Sequence, residues 1–355
     1  MESQNFTHGP VSTNRTHVSA LPVFMFAGGA VGNLVAIVVL SVSRQDRKSS
    51  AFYTLVCGLA VTDLLGTCLA SPLTIANYLD ARVLQQPRLC EFHSFLLLFF
   101  GLTGLSIICA MAAERYLAIC CPYAHERWRV NRRFAQKFLL STYLSHALFC
   151  GLPAMGMSRS ALQPSATWCF IDRGRAPVAA AYSALYGAGS LLLILGTIVL
   201  NLAVCGALLL MRRRTARRPR GRASVRQRWR ALSSAAETQM IAVLVTTSVV
   251  VLACSAPLVV CLFTGLMGDQ DPDADLAAIR IASVNPILDP WIYILLRRSL
   301  FRRLLRLRRG RSPPRSHVFS HLVSTANIIT QLPAAGTSPP TEQGLKTRRT
   351  SMDET

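Results

Sequence analysis

Residues 94–113 read SFLLLFFGLTGLSIICAMAA, twenty positions without a charged side chain, and Glu114-Arg115-Tyr116 follows at once. About 20 apolar residues in a helix, rising 1.5 Å each, cover the ~30 Å of a bilayer's hydrocarbon core. The stretch lies in an apolar run over about 91–120, and six more runs lie near 21–43, 52–79, 134–157, 178–211, 239–267 and 276–296. Composition agrees with that pattern. Residues of the AVILMFWYC set make up 51% of the 355, charged residues only 15%, and mean hydropathy is +0.36, whereas a soluble domain carries about 25% charge. The predicted fold class is an all-α membrane protein, a seven-transmembrane helix bundle over residues 21–296.

Net charge is +21, from 38 Lys+Arg against 17 Asp+Glu. In a soluble protein that excess points to nucleic acid. Here the basic residues cluster in 212–230 and 297–315, directly against apolar runs, so no nucleic-acid partner is expected. They mark loops and tails at a bilayer surface. The segments following the first, third, fifth and seventh runs hold 29 of the 38 basic residues; the N-terminal segment and the other connections hold six, Arg15, Arg82, Arg88, Arg159, Arg173 and Arg175. Basic residues stay in the cytoplasm, which predicts a multi-pass plasma-membrane protein with its N-terminus outside and its C-terminus inside. The outer segment 1–20 carries the sequons Asn5-Phe6-Thr7 and Asn14-Arg15-Thr16, so Asn5 and Asn14 are expected to be glycosylated. Residues 1–20 are too polar for a cleavable signal peptide, leaving the first run as the insertion signal.

Most of the eleven cysteines sit mid-run, where a small polarizable side chain packs well. Only Cys90 and Cys169 fall on the oxidising side, so a disulfide between them is predicted to tie the third run to the second outer loop. The seven histidines are dispersed, and no Cys or His grouping has metal-ligand spacing.

An ionised side chain inside a span costs roughly 2.5–3.5 kcal/mol on insertion scales. Asp63 and Asn33 stand mid-run, and Asn285-Pro286-Ile287-Leu288-Asp289-Pro290-Trp291-Ile292-Tyr293 places an acid between two prolines that free backbone carbonyls. A cluster of Asn33, Asp63, Asn285 and Asp289, with water or a sodium ion among them, would satisfy these groups; hydrogen-bonded glue between helices is the structural alternative. Polar clusters beside proline kinks suit a helix with two arrangements. Arg280 stands about one turn inside the outer end of the seventh run and about 13 Å along the helix from Asp289, too far to pair. No other span offers an acid near its outer end. A carboxylate from outside the chain is then the natural partner for the guanidinium, on an otherwise apolar molecule, with snorkelling to the surface as the alternative.

Gly32-Asn33, Leu59-Ala60-Val61-Thr62-Asp63, Glu114-Arg115-Tyr116, Pro257 and Asp289-Pro290-Trp291-Ile292-Tyr293 occur in order, on the first, second, third, sixth and seventh runs. Together they resemble the rhodopsin-like G-protein-coupled receptors. Residues 162–170, LQPSATWCF, and 280–285, RIASVN, resemble signatures of the prostanoid receptors within that family. Residues 52–67 and 279–296 look most like the fourth subtype of the prostaglandin E2 receptor. The sixth run reads Cys254-Ser255-Ala256-Pro257, without a Trp before the proline, and the fifth run has no proline. The prostanoid receptors share both departures. The third inner loop of about 25 residues and the tail of about 58 are short for that subtype.

What the resemblance implies is a receptor, not an enzyme, for prostaglandin E2, acting through a heterotrimeric G protein of the stimulatory class to raise cyclic AMP. Prostaglandin D2 or prostacyclin as ligand, or a seven-helix transporter of a lipid carboxylate, are the alternatives. The resemblance assigns Thr74, Tyr78, Thr167 and Ser283 to the ligand beside Arg280, although Thr74 and Ser283 could instead bond their own helix backbone. It assigns Glu114, Arg115, Tyr116, Asp63, Asn285, Asp289, Pro290 and Tyr293 to switching and G-protein coupling. Arrestin and kinases are the further partners it implies. From residue spacing, 297–311 is predicted to form a short amphipathic eighth helix on anionic membrane lipids, and 312–355 a disordered cytoplasmic tail. A retinal protein is excluded because Lys48, Lys137 and Lys346 are the only lysines and none lies in the seventh run.

Overall fold

The computed structural model describes residues 20–42, 50–171, 176–216, 225–269 and 271–295; for 42, 215, 216, 225–237 and 293–295 it describes the backbone alone. Asn5, Asn14, the amphipathic helix expected over 297–311 and the tail 312–355 lie outside the described residues. The long helices are α1 (Ala20–Val42), α2 (Ala51–Leu79), α3 (Pro87–Cys120), α4 (Arg132–Gly151), α5 (Pro177–Ala216) and α6 (Val225–Leu266). Two shorter helices, α7 (Pro272–Ala282) and α8 (Asn285–Leu295), complete the bundle. A helix over Pro122–Arg127 follows α3, and a two-stranded antiparallel hairpin, β1 (Ser160–Leu162) and β2 (Cys169–Ile171), lies between α4 and α5.

Local chemistry sets the helix starts. Pro87 opens α3 at a position where its missing N–H costs nothing, and the Asn131 side chain caps α4 by accepting from Phe134 N–H at 3.1 Å. Asp271 caps α7 by accepting from the N–H groups of Asp273 and Ala274, with Pro272 behind it. Five helices, α1, α2, α3, α5 and α6, are long and apolar enough to cross a membrane. They are apolar all round, and Phe24, Leu192 and Val199 are more than 60% exposed, as lipid-facing side chains are. Basic residues at its start dilute α4, and a turn at Ser283–Val284 divides α7 from α8.

The core runs along α3. Leu98, Ile107 and Ile108 are almost fully buried there, and α3 packs against α2, α4, α5 and β2. The ring of helices closes through α1 against both α2 and α8. Two glycines allow close approach. A Cβ on Gly58 would stand 2.8 Å from Leu139 Cδ1 of α4, and one on Gly66 would stand 2.9 Å from Phe100 Cγ of α3.

Several boundaries differ from the sequence-based expectation. The fourth helix stops at Gly151 rather than 157, because Pro153 starts a 3₁₀ turn that ends at left-handed Gly156. The seventh run begins four residues earlier than expected and is two helices. The inner loop between the fifth and sixth runs is largely helix, since α5 reaches Ala216 and α6 starts at Val225.

Candidate functional site

A cavity of about 250 Å³ opens inside the bundle beneath the hairpin, between α1, α2, α3, α5, α6 and α7. Its walls are apolar and aromatic, among them Leu97, Phe100, Trp168, Phe170, Leu262 and Ile279. The cavity reaches from Tyr78, Thr167 and Arg280 near the hairpin down to Asp63 and Asn285. Among the described lining residues Arg280 is the only arginine or lysine.

Arg280 is half-buried, with its Nη2 donating to the Tyr78 hydroxyl at 3.4 Å. Because α7 starts at Pro272, Arg280 lies about two turns into the helix rather than one, which weakens the snorkelling alternative. The expectation that no other acid stands near this end needs correction. Glu91 stands just past the first turn of α3 and Asp275 in the first turn of α7, yet neither pairs with Arg280. Glu91 is exposed and Asp275 is buried. The Asp271-Pro272 pair, a capped helix start, was the signal that could have placed Asp275 inside the helix.

The other residues assigned to the ligand divide. Tyr78, Thr74, Thr167 and Ser283 all line the cavity. Ser283 donates to Ile279 O of its own helix at 2.8 Å, the backbone bonding expected of a serine at a helix end. Thr167 shares a 3.0 Å hydrogen bond with Ser165 in the hairpin turn. Thr74 approaches Ala70 O at 3.3 Å and also meets His93 Nε2 at 3.0 Å. Cys90 and Cys169 form the predicted disulfide, with Cα atoms 5.4 Å apart, fixing β2 to the first turn of α3.

Two side chains the sequence did not single out hold the hairpin in place. Asn77 donates through Nδ2 to Ala166 O at 2.8 Å and accepts at Oδ1 from Leu84 N–H at 3.1 Å. His93 bridges Thr74 and the Cys169 backbone. One Asn and one His in apolar runs carry no periodic signal, and only the tertiary approach of the hairpin gives them partners.

Deeper in the bundle, Asn33 donates to Gly29 O at 3.0 Å and to Pro286 O at 2.8 Å. The second bond has a clear cause. Pro290 has no N–H for the carbonyl four residues before it, and Asn33 supplies the missing donor across the helix interface. Asp63 and Asp289 are 5% and 2% exposed. Asn33 Oδ1, Asp63 Oδ2, Asn285 Oδ1 and Asp289 Oδ1 are buried without a hydrogen-bond partner among the described residues.

At the opposite end of α3, Arg115 Nε donates to Glu114 Oε2 at 2.6 Å, and its guanidinium lies 4.0 Å from the centre of the Phe52 ring. His125, in the helix after α3, puts Nε2 3.7 Å from Glu114 Oε1. Tyr116 packs against the cluster of Val204, Leu208 and Leu244 that joins α5 to α6. Pro290 is buried within α8, and the side chain of Tyr293 is outside the described residues.

Comparison with known proteins follows this geometry. The profile of the 7 transmembrane receptor (rhodopsin family) matches residues 32–293. The Prostaglandin E2 receptor EP4 subtype of Homo sapiens is 49% identical over 315 residues, covering 79% of this chain and 64% of its own length. That of Oryctolagus cuniculus is 48% identical over 318 residues, 79% of this chain and 65% of the relative. The Prostaglandin E2 receptor EP2 subtype of Homo sapiens is 34% identical over 304 residues, 80% of this chain and 84% of the relative. This chain thus spans just under two thirds of its EP4-subtype relatives. A multi-pass membrane protein with these helices, this profile and these relatives belongs to the rhodopsin family of seven-transmembrane receptors, in its prostanoid branch, and is a receptor rather than an enzyme.

Proposed function

We propose that this chain is a cell-surface receptor for prostaglandin E2 that activates a heterotrimeric G protein of the stimulatory class and raises cyclic AMP. The observation that carries it is Arg280, a guanidinium in an apolar cavity with one hydrogen-bond partner among the described residues, the Tyr78 hydroxyl 3.4 Å away. A half-buried cation with no ion pair among the described residues is only partly compensated, and a ligand carboxylate supplies the pair. Tyr78 accepts from Arg280, so its own O–H is free to donate to that carboxylate. Thr167, Thr74 and Ser283 line the same space as further ligand contacts, and the apolar walls take the hydrocarbon chains. The relatives, prostaglandin E2 receptors by name, support prostaglandin E2 as the ligand.

Seven crossings are completed by α4 and by α7 with α8 taken together, in addition to the five apolar helices. The asymmetry of basic residues supports an outer N-terminus, with the hairpin facing outward and Glu114-Arg115 facing the cytoplasm. A G-protein helix inserted there replaces the carboxylate that holds Arg115. Four buried oxygens around Asp63 and Asp289 fit water or a small hard cation such as sodium, which binds oxygen ligands and would offset the two acids; Asn33, Asp63, Asn285 and Asp289 would hold it. Because the cavity extends to Asp63, ligand and cluster share one space through which the populations of two helix packings are coupled. Kinases and arrestin are assigned to the tail and membrane lipids to 297–311. Cells expressing the chain are expected to raise cyclic AMP at lower prostaglandin E2 than prostaglandin D2 or prostacyclin. Silence towards all three, with the protein on the surface, contradicts the proposal.

A further inference from the structure

His93 lies in α3, one turn after Cys90, and is 1% exposed. Its two ring nitrogens have different partners on different elements. The Cys169 backbone N–H of β2 donates to Nδ1 at 3.4 Å, and Nε2 stands 3.0 Å from Thr74 Oγ1 of α2. An amide N–H can only donate, so Nδ1 presents a lone pair and the ring proton sits on Nε2. The imidazole therefore accepts from the hairpin and donates to Thr74. The hydroxyl of Thr74 keeps its own proton for Ala70 O at 3.3 Å. Thr74 lines the cavity, and Thr167, also lining it, is two residues from the Cys169 N–H.

We propose that His93 is a positioning residue for ligand recognition: as the neutral Nε2–H tautomer it ties the hairpin, and with it Thr167, to α2 across the top of the cavity. This rests on the proposal that the cavity takes a prostaglandin. The disulfide fixes only where Cys169 is attached to α3. The imidazole adds a polar link that sets the distance between the strand and the α2 wall, and its two ends require opposite hydrogen-bond polarity. A side chain must therefore offer an acceptor and a donor spaced like the ring nitrogens. Gln offers both through its amide, Asn offers both one methylene closer to the backbone and so serves the Cys169 N–H but falls short of Thr74, and Leu offers neither.

The test is competition binding of prostaglandin E2 on full-length receptor at the cell surface, for wild type, His93→Gln, His93→Asn and His93→Leu. Losing both bonds and leaving the Cys169 N–H buried is expected to weaken binding by about 5- to 100-fold in His93→Leu. His93→Gln is expected within about threefold of wild type, with His93→Asn between the two. A merely space-filling role would favour Leu over the amides, so the order can be judged from any two variants that reach the surface. In an Arg280→Gln background the His93→Leu penalty is expected to persist. In a Thr74→Val background it is expected to shrink, because one of its two bonds is already gone. Binding of His93→Leu within twofold of wild type, or an inverted order among the variants, overturns the proposal while prostaglandin binding itself stands. A wild type that binds no prostaglandin overturns both.

Discussion

Replacing Asn77 by Ala removes one side chain that serves two backbone groups. Ala166 O loses its 2.8 Å donor, and Leu84 N–H loses its 3.1 Å acceptor. The Leu84 N–H lies where water does not easily compensate, for Asn77 is 4% exposed and Leu84 0%, whereas Ala166 is exposed and its carbonyl can turn to water. The first bond also holds Ala166 in the left-handed region at φ 54°, a conformation costing an L-residue roughly 1–2 kcal/mol and adjoining Thr167. Each buried backbone group left unpaired costs about 1–3 kcal/mol. Unpairing the Leu84 N–H alone corresponds to roughly 5- to 150-fold in ligand affinity. The disulfide still anchors Cys169 to α3, so surface delivery is expected to survive. Radioligand binding at matched surface expression measures the effect. Affinity within twofold of wild type would refute the idea that Asn77 sets the hairpin over the cavity.

Cys90→Ser, Cys169→Ser and the double variant should lose binding or surface delivery equally, since one cross-link is lost once; unequal single variants, measured by surface labelling and ligand binding, argue against it. Asp63→Asn should keep antagonist affinity while weakening agonist potency for cyclic AMP, because Asp63 lies at the floor of the cavity and not beside Arg280; normal signalling at matched expression would make the polar cluster structural glue. Glu114→Gln removes the charge that holds Arg115 and should raise basal cyclic AMP severalfold, and an unchanged basal level would show that the pair does not restrain the inactive packing.

Legibility followed the physical origin of each feature. The apolar runs were readable because crossing a bilayer imposes a length on the sequence itself, and α1, α2, α3, α5 and α6 have it. The Cys90–Cys169 bond was readable from sidedness, since the oxidising side left two candidates. The Pro286 carbonyl freed by Pro290 was foreseen as a need, but its partner Asn33 is 253 residues away and only packing could pair them. His93, Asn77 and His125 were not legible. Each is a single polar residue whose meaning comes from an element distant in sequence. The divided seventh run was masked by unbroken hydropathy, which reports burial in lipid and not the continuity of backbone hydrogen bonds.

The central claim is that Arg280 pairs with a ligand carboxylate, and the direct measurement compares prostaglandin E2 with its methyl ester on wild type and on Arg280→Gln. A desolvated charge pair is worth about 2–5 kcal/mol, so wild type should prefer the acid by roughly 30- to 4000-fold. In Arg280→Gln, affinity for the acid should fall to about that of the ester, with ester binding little changed. A wild type indifferent to esterification, or an Arg280→Gln variant that keeps the full preference for the acid, would contradict the account.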